Sequence, residues 1–275
     1  MTEKPLRNVL PTTPTTKTHA IKSDLRSRRR IRLDETVAND VPVNIYINNE
    51  CVTTMLTTPS RLKELAVGFL VDEGILRSKE EIKELWVKGL DVHVSTESNV
   101  KARLQTYQVS RLVTTACGSV KGFLRLLDRV DKPTVTSKTV VTEKAVLQTV
   151  VWLNKNSKIF KETGGTHVAA LSRSSGEPIC FAEDVGRHNA IDKVIGEAIL
   201  SNVDLSGCIL ASTGRQSADM VLKAARVGIP VVASIAGPLH SGIYAANETG
   251  VTLICFVKGL RMNIYTHPER VLQET

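Results

Sequence analysis

The sequence predicts an α/β protein: a three-layer α/β/α core preceded by a smaller α+β unit. Two observations carry this. From residue 163 onward, short strands and amphipathic helices alternate in regular order, and strands such as "GCILAST" and "VTLICFV" are apolar on both faces. That is the pattern of a sheet covered by helices on each side. Before residue 133 the order is instead hairpin, helix and further strands, which suits an α+β unit. The expected division is a basic arm over 1–35, a small α+β unit over 36–132 and the α/β/α unit over 133–275.

In chain order, "VPVNIYIN" and "CVTTMLT" read as a hairpin turning at Asn49-Glu50. A helix follows, with Ser60 as its cap and Leu62, Leu65, Ala66, Phe69 and Leu70 as one buried face before Gly74. "LWVKGLDVHVS" and "VKARLQTYQV" read as two more strands, then "RLVTT" as a strand and "SVKGFLRLLDRV" as a helix. A linker leads to a helix capped by Thr142. "THVAALS" and "PICFAE" flank the turn "RSSGE", and "RHNAIDKVIGEAIL" is a helix striped by Ala190, Ile191, Val194, Ile195, Ala198 and Ile199. "GCILAST", "SADMVLKAARVG", "IPVVASI", "PLHSGIYAANETG" and "VTLICFV" continue the alternation.

The formal charge is +8 over 275 residues, but it is unevenly placed. Residues 1–33 hold nine Lys/Arg against Glu3 and Asp24, which is +7 and leaves +1 for the rest. The basicity is that of an arm, so a folded nucleic-acid-binding domain is not expected. The arm's "PTTPTTKT" and "RSRRRIRL" are too polar to repay folding entropy, and disorder is expected up to about residue 35. No stretch reaches the ~18 apolar residues of a membrane span, and no apolar run follows the arginines as an export signal needs. The expectation is a cytoplasmic protein without membrane contact.

Five cysteines, Cys51, Cys117, Cys180, Cys208 and Cys255, are odd in number and lack CxxC or zinc-ligand spacing. No disulfide framework or intrinsic metal is expected. Four have apolar or β-branched neighbours and read as small core residues. Cys117, between Ala116 and Gly118, differs. Following a strand and preceding a helix, with Lys121 nearby, it is either a loop residue or a nucleophile whose thiolate a helix N-terminus and a lysine would favour.

The strand ends of the second unit carry a recurrent decoration: "EDVGRHN", "STGRQS", "AGPLH" and "KGLR". Glycines admit a ligand to the backbone and arginines take phosphate oxygens in pairs. Such groups at strand carboxyl ends suit an anionic, nucleotide-sized ligand. Taken singly, each is also an ordinary turn. Arg187, His188, Gly214 and Arg215 are the pocket residues this reading selects. His167 and His188 are either acid/base groups or satisfied structural histidines, and Asp184 could orient an imidazole or a ligand hydroxyl. Walker A, GxGxxG and G-x-S-x-G sequences are missing.

"CFAEDVGRHNAIDKVIG" (180–196), "TGGTHVAAL" (163–171), "STGRQSADMVLKAARVGIPVVASIAGP" (212–238) and "FVKGLRMNIYTHPER" (256–270) resemble, in order, the signature blocks of the FdhD family of formate dehydrogenase accessory sulfurtransferases. The resemblance runs from about residue 36 to 275. It implies a cytidine-deaminase-like core, a homodimer, and transfer of sulfur from a cysteine desulfurase to the molybdenum or tungsten bis-molybdopterin guanine dinucleotide cofactor destined for formate dehydrogenase. The cofactor is then a bound substrate. The resemblance makes Cys117 the sulfur carrier in a C-G-x-C-type loop whose second position is Val120 here. It places cofactor binding at Phe256, Val257, Lys258, Gly259, Leu260 and Arg261. A chaperone that shelters the cofactor without moving sulfur is the alternative. A nucleobase deaminase would need H-x-E and P-C-x-x-C, and neither occurs.

Overall fold

The computed structural model describes residues 10–107 and 133–273. Cys117, Val120, Lys121, the strand expected at "RLVTT" and the helix expected at "SVKGFLRLLDRV" lie outside the described residues.

The chain begins with an antiparallel pair, β1 (Thr15–Asp24) and β2 (Arg29–Ala38), where disorder was expected. The reason is in β2 itself: Ile31, Leu33 and Val37 alternate with Arg30, Arg32 and Asp34, the period of a strand. Composition masks that period. At the base, the Asn39 side-chain amide donates to the Thr13 carbonyl at 2.9 Å and to Thr16 Oγ1 at 2.7 Å.

A four-stranded sheet follows in the order β4-β3-β6-β5, built from β3 (Val41–Ile47), β4 (Glu50–Thr57), β5 (Glu84–Lys88) and β6 (Asp91–Ser95). β3 and β6 are parallel and the other pairs antiparallel. "LWVKGLDVHVS" is thus two strands rather than one. "VKARLQTYQV" is not a strand in its described part, because residues 101–107 are helical. Asn99 Oδ1 accepts the Lys101 amide, and Val100, Leu104 and Tyr107 are buried at helical spacing.

Helix α1 (Leu62–Asp72) starts at Arg61, in the left-handed conformation, and not at a Ser60 side-chain cap. It is also buried from Leu65 through Asp72 on every side, not along one face. One side packs on the small sheet through Ala66, Phe69 and Leu70.

The second sheet has the order β13-β12-β11-β10-β8-β9. Its strands are β8 (His167–Arg173), β9 (Pro178–Asp184), β10 (Cys208–Ser212), β11 (Val231–Ser234), β12 (Thr252–Lys258) and β13 (Arg261–Ile264). β10, β11 and β12 are mutually parallel, and β8 runs against both β9 and β10. One face, with Leu171, Ala182, Leu210, Val232 and Leu253, packs under α4 (Arg187–Leu200), α5 (Ala218–Arg226) and α6 (His240–Thr249). The other, with Ala170, Ile209, Ala211 and Ala233, packs under α2 (Glu143–Asn156). A short α3 (Lys158–Thr163) and the parallel pair β7 (Val141–Thr142) and β14 (Val271–Leu272) complete this side. Thr142 Oγ1 accepts the Ala145 amide at 3.1 Å and so caps α2 as its sequence indicates.

The second flank of α1 lies on α4, and two glycines set the distance. A Cβ on Gly68 would sit 1.8 Å from the Asp192 carbonyl oxygen, and one on Gly196 would sit 1.9 Å from that of Glu64. Beside this crossing, Lys223 Nζ of α5 is buried 2.5 Å from Asp192 and 3.4 Å from Asp72 of α1. Burial, chiefly, raises the Asp72 pKa well above that of an ordinary carboxyl, and the Lys223 charge offsets part of this.

Because the crossing leaves no room for a methyl group, Gly196→Ala and Gly68→Ala are each expected to lose about 1–3 kcal/mol of unfolding free energy in urea. Gly207→Ala, where a Cβ meets nothing within 4 Å, is expected to stay near wild type.

Candidate functional site

The sheet directions bring four loops to one edge. β9 runs with β10, β11 and β12, so their carboxyl ends align there with the start of β8. The "EDVGRHN", "STGRQS", "AGPLH" and "KGLR" segments all leave from this edge.

At its corner Asp184 is fully buried. Its Oδ2 accepts from Thr57 Oγ1 at 2.5 Å, the Thr58 amide at 3.1 Å and Lys193 Nζ at 2.5 Å. Its Oδ1 accepts from the Gly186 amide at 2.8 Å and Asn189 Nδ2 at 3.0 Å. Asn189 also donates to the Leu56 carbonyl, Lys193 to that of Thr58, and the Val185 amide to Thr58 Oγ1. This corrects the reading of Asp184 as an orienting group for an imidazole or ligand hydroxyl: its lone pairs are taken, and it joins the end of β4 to the β9–α4 turn. Burial pulls the Lys193 pKa below that of an ordinary lysine, and Asp184 offsets part of this.

Arg187 opens α4, and its stem fills the space over Gly214, where a Cβ would lie 3.0 Å from the arginine Cβ and Cδ. The β10–α5 loop is held from within. Ser212 Oγ accepts from the Gly214 amide and Gln216 Nε2, and the Gly214 carbonyl accepts from Gln216 Nε2 and Ser234 Oγ. The Gln216 amide donates to the Gly237 carbonyl, and the Leu239 amide donates to that of Gln216. Gly237 carries the Phe256 ring, which comes within 2.7 Å of where a Cβ would be.

Three buried polar atoms at this edge have no partner among the described residues: Arg187 Nε, Gln216 Oε1 and Ser217 Oγ. Ser217 is the N-cap of α5 and makes no capping bond. A donor, an acceptor and a hydroxyl left unpaired in the loops at this edge, beside an α5 N-terminus whose Ala218 amide donates to Ser241 Oγ, are compatible with a polar, anionic ligand.

His167 Nδ1 lies 3.2 Å from Thr213 Oγ1, and His188 is on the first turn of α4. Burial first, then the Arg187 charge, lowers both imidazole pKa values, so both are neutral at pH 7. Arg215 is exposed beside Gly214. Of the C-terminal set, Phe256 is half exposed in a left-handed backbone conformation at a bulge. Lys258, Gly259, Leu260 and Arg261 form the exposed β12–β13 turn, with Lys258 paired to Arg261. Val257 points the other way, with 1% exposure in the cluster under α2, so its side chain faces the core rather than a ligand.

Sequence reasoning missed Thr57, Thr58, Asn189, Lys193 and Gln216. Asn189, Lys193 and Gly196 do form an i, i+4, i+7 stripe on α4 that marks a second buried face; nothing in "LTTPS" announces Thr57 and Thr58. Among the cysteines, burial pushes the thiols of Cys180 and Cys255 up to about 12 and that of Cys208 to about 11, which leaves them inert. Cys51 is exposed on β4 and is not the core residue its neighbours suggest. Among the described residues no His/Cys/Asp/Glu cluster could hold a metal ion, and no helix is long and apolar enough to cross a membrane.

Compared with known proteins, residues 38–272 match the sequence model of the FdhD/NarQ family. A sulfur carrier protein FdhD from Shouchella clausii is 34% identical over 245 residues, 88% of this chain and 91% of that protein. The protein of the same name from Staphylococcus haemolyticus is 34% identical over 244 residues, again 88% and 91%. A crystal structure from Desulfotalea psychrophila, described as a formate dehydrogenase accessory protein, superposes with a TM-score of 0.74 at 25% identity, covering 94% of this chain and 99% of that one.

Two measurements follow from this geometry. Asp184→Asn leaves Lys193 buried without its counter-charge and is expected to cost about 3–5 kcal/mol in urea unfolding, whereas Thr57→Val removes one of five donors and costs less. The depressed histidines bind protons more weakly folded than unfolded. Their stability contribution is therefore complete above pH ~6.5 and is lost as pH falls through the folded values. Unfolding free energy is expected to fall from pH 7 to pH 5, well below the ~1.4 kcal/mol per pH unit ceiling because solvent reaches both rings, and His188→Gln should flatten the slope.

Proposed function

The chain belongs to the FdhD/NarQ family, and from that premise we propose that it is a cytoplasmic sulfur carrier serving formate dehydrogenase, relaying sulfur through Cys117 to a guanine-dinucleotide cofactor held at the sheet edge. The observation that carries the cofactor half of this reading is the convergence there of Arg187 Nε, Gln216 Oε1 and Ser217 Oγ, unpaired and buried, beside two helix N-termini. Phosphate oxygens suit the Arg187 guanidinium and the first turn of α5. A guanine ring offers both donor and acceptor edges to Gln216, and Phe256 supplies an exposed face for stacking. Lys258 and Arg261 extend the positive charge outward, and Arg215 and His188 line the approach. Helices on both faces of the six-stranded sheet support kinship of this unit with the cytidine-deaminase-like core.

In the relay, the Cys117 thiolate attacks the terminal sulfur of a persulfide on a cysteine desulfurase. One sulfur–sulfur bond forms, the donor's breaks, and the donor cysteine leaves as a thiolate, with no net oxidation. The Cys117 persulfide would then give that sulfur to the bound substrate: the sulfur–sulfur bond breaks, Cys117 returns as a thiolate, and the two electrons that reduce the sulfur to sulfide come from the reduced metal of that substrate, which then passes to formate dehydrogenase. Val120, in place of a second loop cysteine, favours a second reading, a chaperone that binds the cofactor without moving sulfur.

Incubation with a cysteine desulfurase and cysteine is expected to add one sulfur atom to Cys117 in wild type and Cys51→Ala, seen by peptide mass spectrometry, and none in Cys117→Ala. Cys117→Ala should fail to restore formate dehydrogenase in a strain lacking the carrier; full rescue would select the chaperone. Arg187→Ala and the Lys258→Ala/Arg261→Ala pair are each expected to weaken guanosine diphosphate binding at least tenfold by calorimetry, since each removes charge-assisted contacts.

A further inference from the structure

The β1–β2 ribbon is anchored only at its base. There Asn39 Nδ2 donates to the Thr13 carbonyl, and the Ala38 side chain lies 3.1 Å from where a Gly165 Cβ would be. From Ile21 to Arg32 every residue is exposed. This tip carries Lys22, Arg26, Arg28, Arg29, Arg30 and Arg32 against Asp24 alone, six cations and one carboxylate, a net +5. None of the six makes an ion pair with a described residue. Asp24 is occupied by the turn, where its Oδ1 accepts the Arg26 amide at 2.8 Å and the Ser27 amide at 3.2 Å. Nearer the base the charge is balanced: His19 Nδ1 lies 2.6 Å from Asp34 Oδ1, and Glu35 and Asp40 oppose Lys17. A lone two-stranded ribbon is marginal in water, and like charges crowded at its end favour a polyanion that neutralises them.

The cations do not share a face. Residues opposite one another in an antiparallel pair project to one side, and successive rows alternate. Lys22 and Arg29 therefore stand on one side of the ribbon, Arg30 and Arg32 on the other, and Arg26 and Arg28 in the turn between. A flat lipid or protein surface meets one side of such a tip, whereas a groove walled by phosphates meets both. A ribbon with its side chains is about 10 Å thick. The major groove of B-form DNA is about 12 Å wide and about 8.5 Å deep and admits a two-stranded ribbon, whereas the A-form major groove is closed to side chains. At about 3.3 Å per residue that depth takes the turn and the next two or three rows, those of Asp24/Arg29, Ser23/Arg30 and Lys22/Ile31. We propose that the tip of this ribbon enters the major groove of duplex DNA. Lys22 and Arg29 lie on one phosphate wall, Arg30 and Arg32 on the other, and Arg26 and Arg28 at the floor. Leu25, 88% exposed in the turn, meets thymine methyl groups there. Most of the contact is to phosphate, so binding is largely independent of sequence, with a Kd on the order of 10⁻⁵ M. The rest of the chain is close to neutral, so the contact belongs to the ribbon alone and is independent of the sulfur chemistry.

Fluorescence anisotropy of the full chain with a labelled, mixed-sequence DNA duplex of about twenty base pairs, over about 50–200 mM KCl, is the test. The logarithm of the binding constant is expected to fall with that of the salt concentration at a slope of about −4, for four cations on phosphate. Arg29→Ala/Arg30→Ala should weaken binding at least tenfold and bring the slope down by about 2, whereas Arg29→Lys/Arg30→Lys should keep most of both. Arg26→Ala/Arg28→Ala should weaken binding about tenfold. Lys17→Ala, at the ribbon base, should change nothing, and excess guanosine diphosphate should not displace the duplex, which separates the ribbon from the sheet edge. Absence of binding at the lowest salt, an affinity unmoved by the alanine pairs, or displacement by guanosine diphosphate overturns the proposal. So does tighter binding, through the same arginines, of an A-form RNA duplex or of phosphatidylglycerol vesicles, the vesicle case being marked by loss of binding in Leu25→Ser.

Discussion

The buried carboxylate of Asp184 is the interaction on which the arrangement depends. Five donors from three places, the end of β4, the β9–α4 turn and the first turns of α4, converge on its two oxygens. A buried charge is tolerated only when paired and hydrogen-bonded, so any displacement of β4 relative to α4 would strand Asp184 or Lys193 in the interior. The geometry at the head of α4 is therefore fixed before any ligand arrives. Arg187 projects from the residue after Gly186, whose amide is one of the five donors.

A second constraint acts further along the same helix. Gly68 and Gly196 let α1 and α4 approach to backbone contact, and Lys223 between Asp192 and Asp72 ties α5 to both. The small sheet is thus joined to the large one through helices packed at close range, with paired charges at each end of the contact. Neither network touches the orphaned atoms at the sheet edge. The Asp184 carboxylate is fully bonded and holds the frame, whereas unpaired buried atoms remain both at the helix crossing, Asp72 Oδ1 and Asp192 Oδ2, and at the sheet edge, Arg187 Nε, Gln216 Oε1 and Ser217 Oγ.

Gln216 Nε2 donates to Ser212 Oγ and to the Gly214 carbonyl, which also accepts from Ser234 Oγ, and these bonds fix the β10–α5 turn without using Arg215. Gly214 and Gly237 are small because Arg187 and Phe256 occupy the space above them. The sequence blocks that mark the family therefore mix frame and proposed pocket: in "EDVGRHN", Asp184 and Asn189 belong to the frame and Arg187 to the pocket proposed above.

By itself the sequence determined the alternation after residue 163, the Thr142 cap, the burial of Cys180, Cys208 and Cys255, and the line of glycines and arginines at the strand ends. These are local matters of period, capping and composition, legible wherever one stretch of chain meets a uniform environment. It was misleading where the environment is not uniform. α1 is sandwiched, so its single stripe understated its burial. The Arg-rich composition of β2 hid a strand period, and "VKARLQTYQV" has β-rich composition but buries Val100, Leu104 and Tyr107 on a helical face. Only the tertiary structure decided that Asp184 is a joint rather than a catalytic accessory, since its partners Thr57 and Thr58 lie more than a hundred residues away. Only it turned Val257 inward and aligned the four loops at one edge, because strand direction and side-chain facing depend on which strands pair, and pairing is a property of the whole sheet.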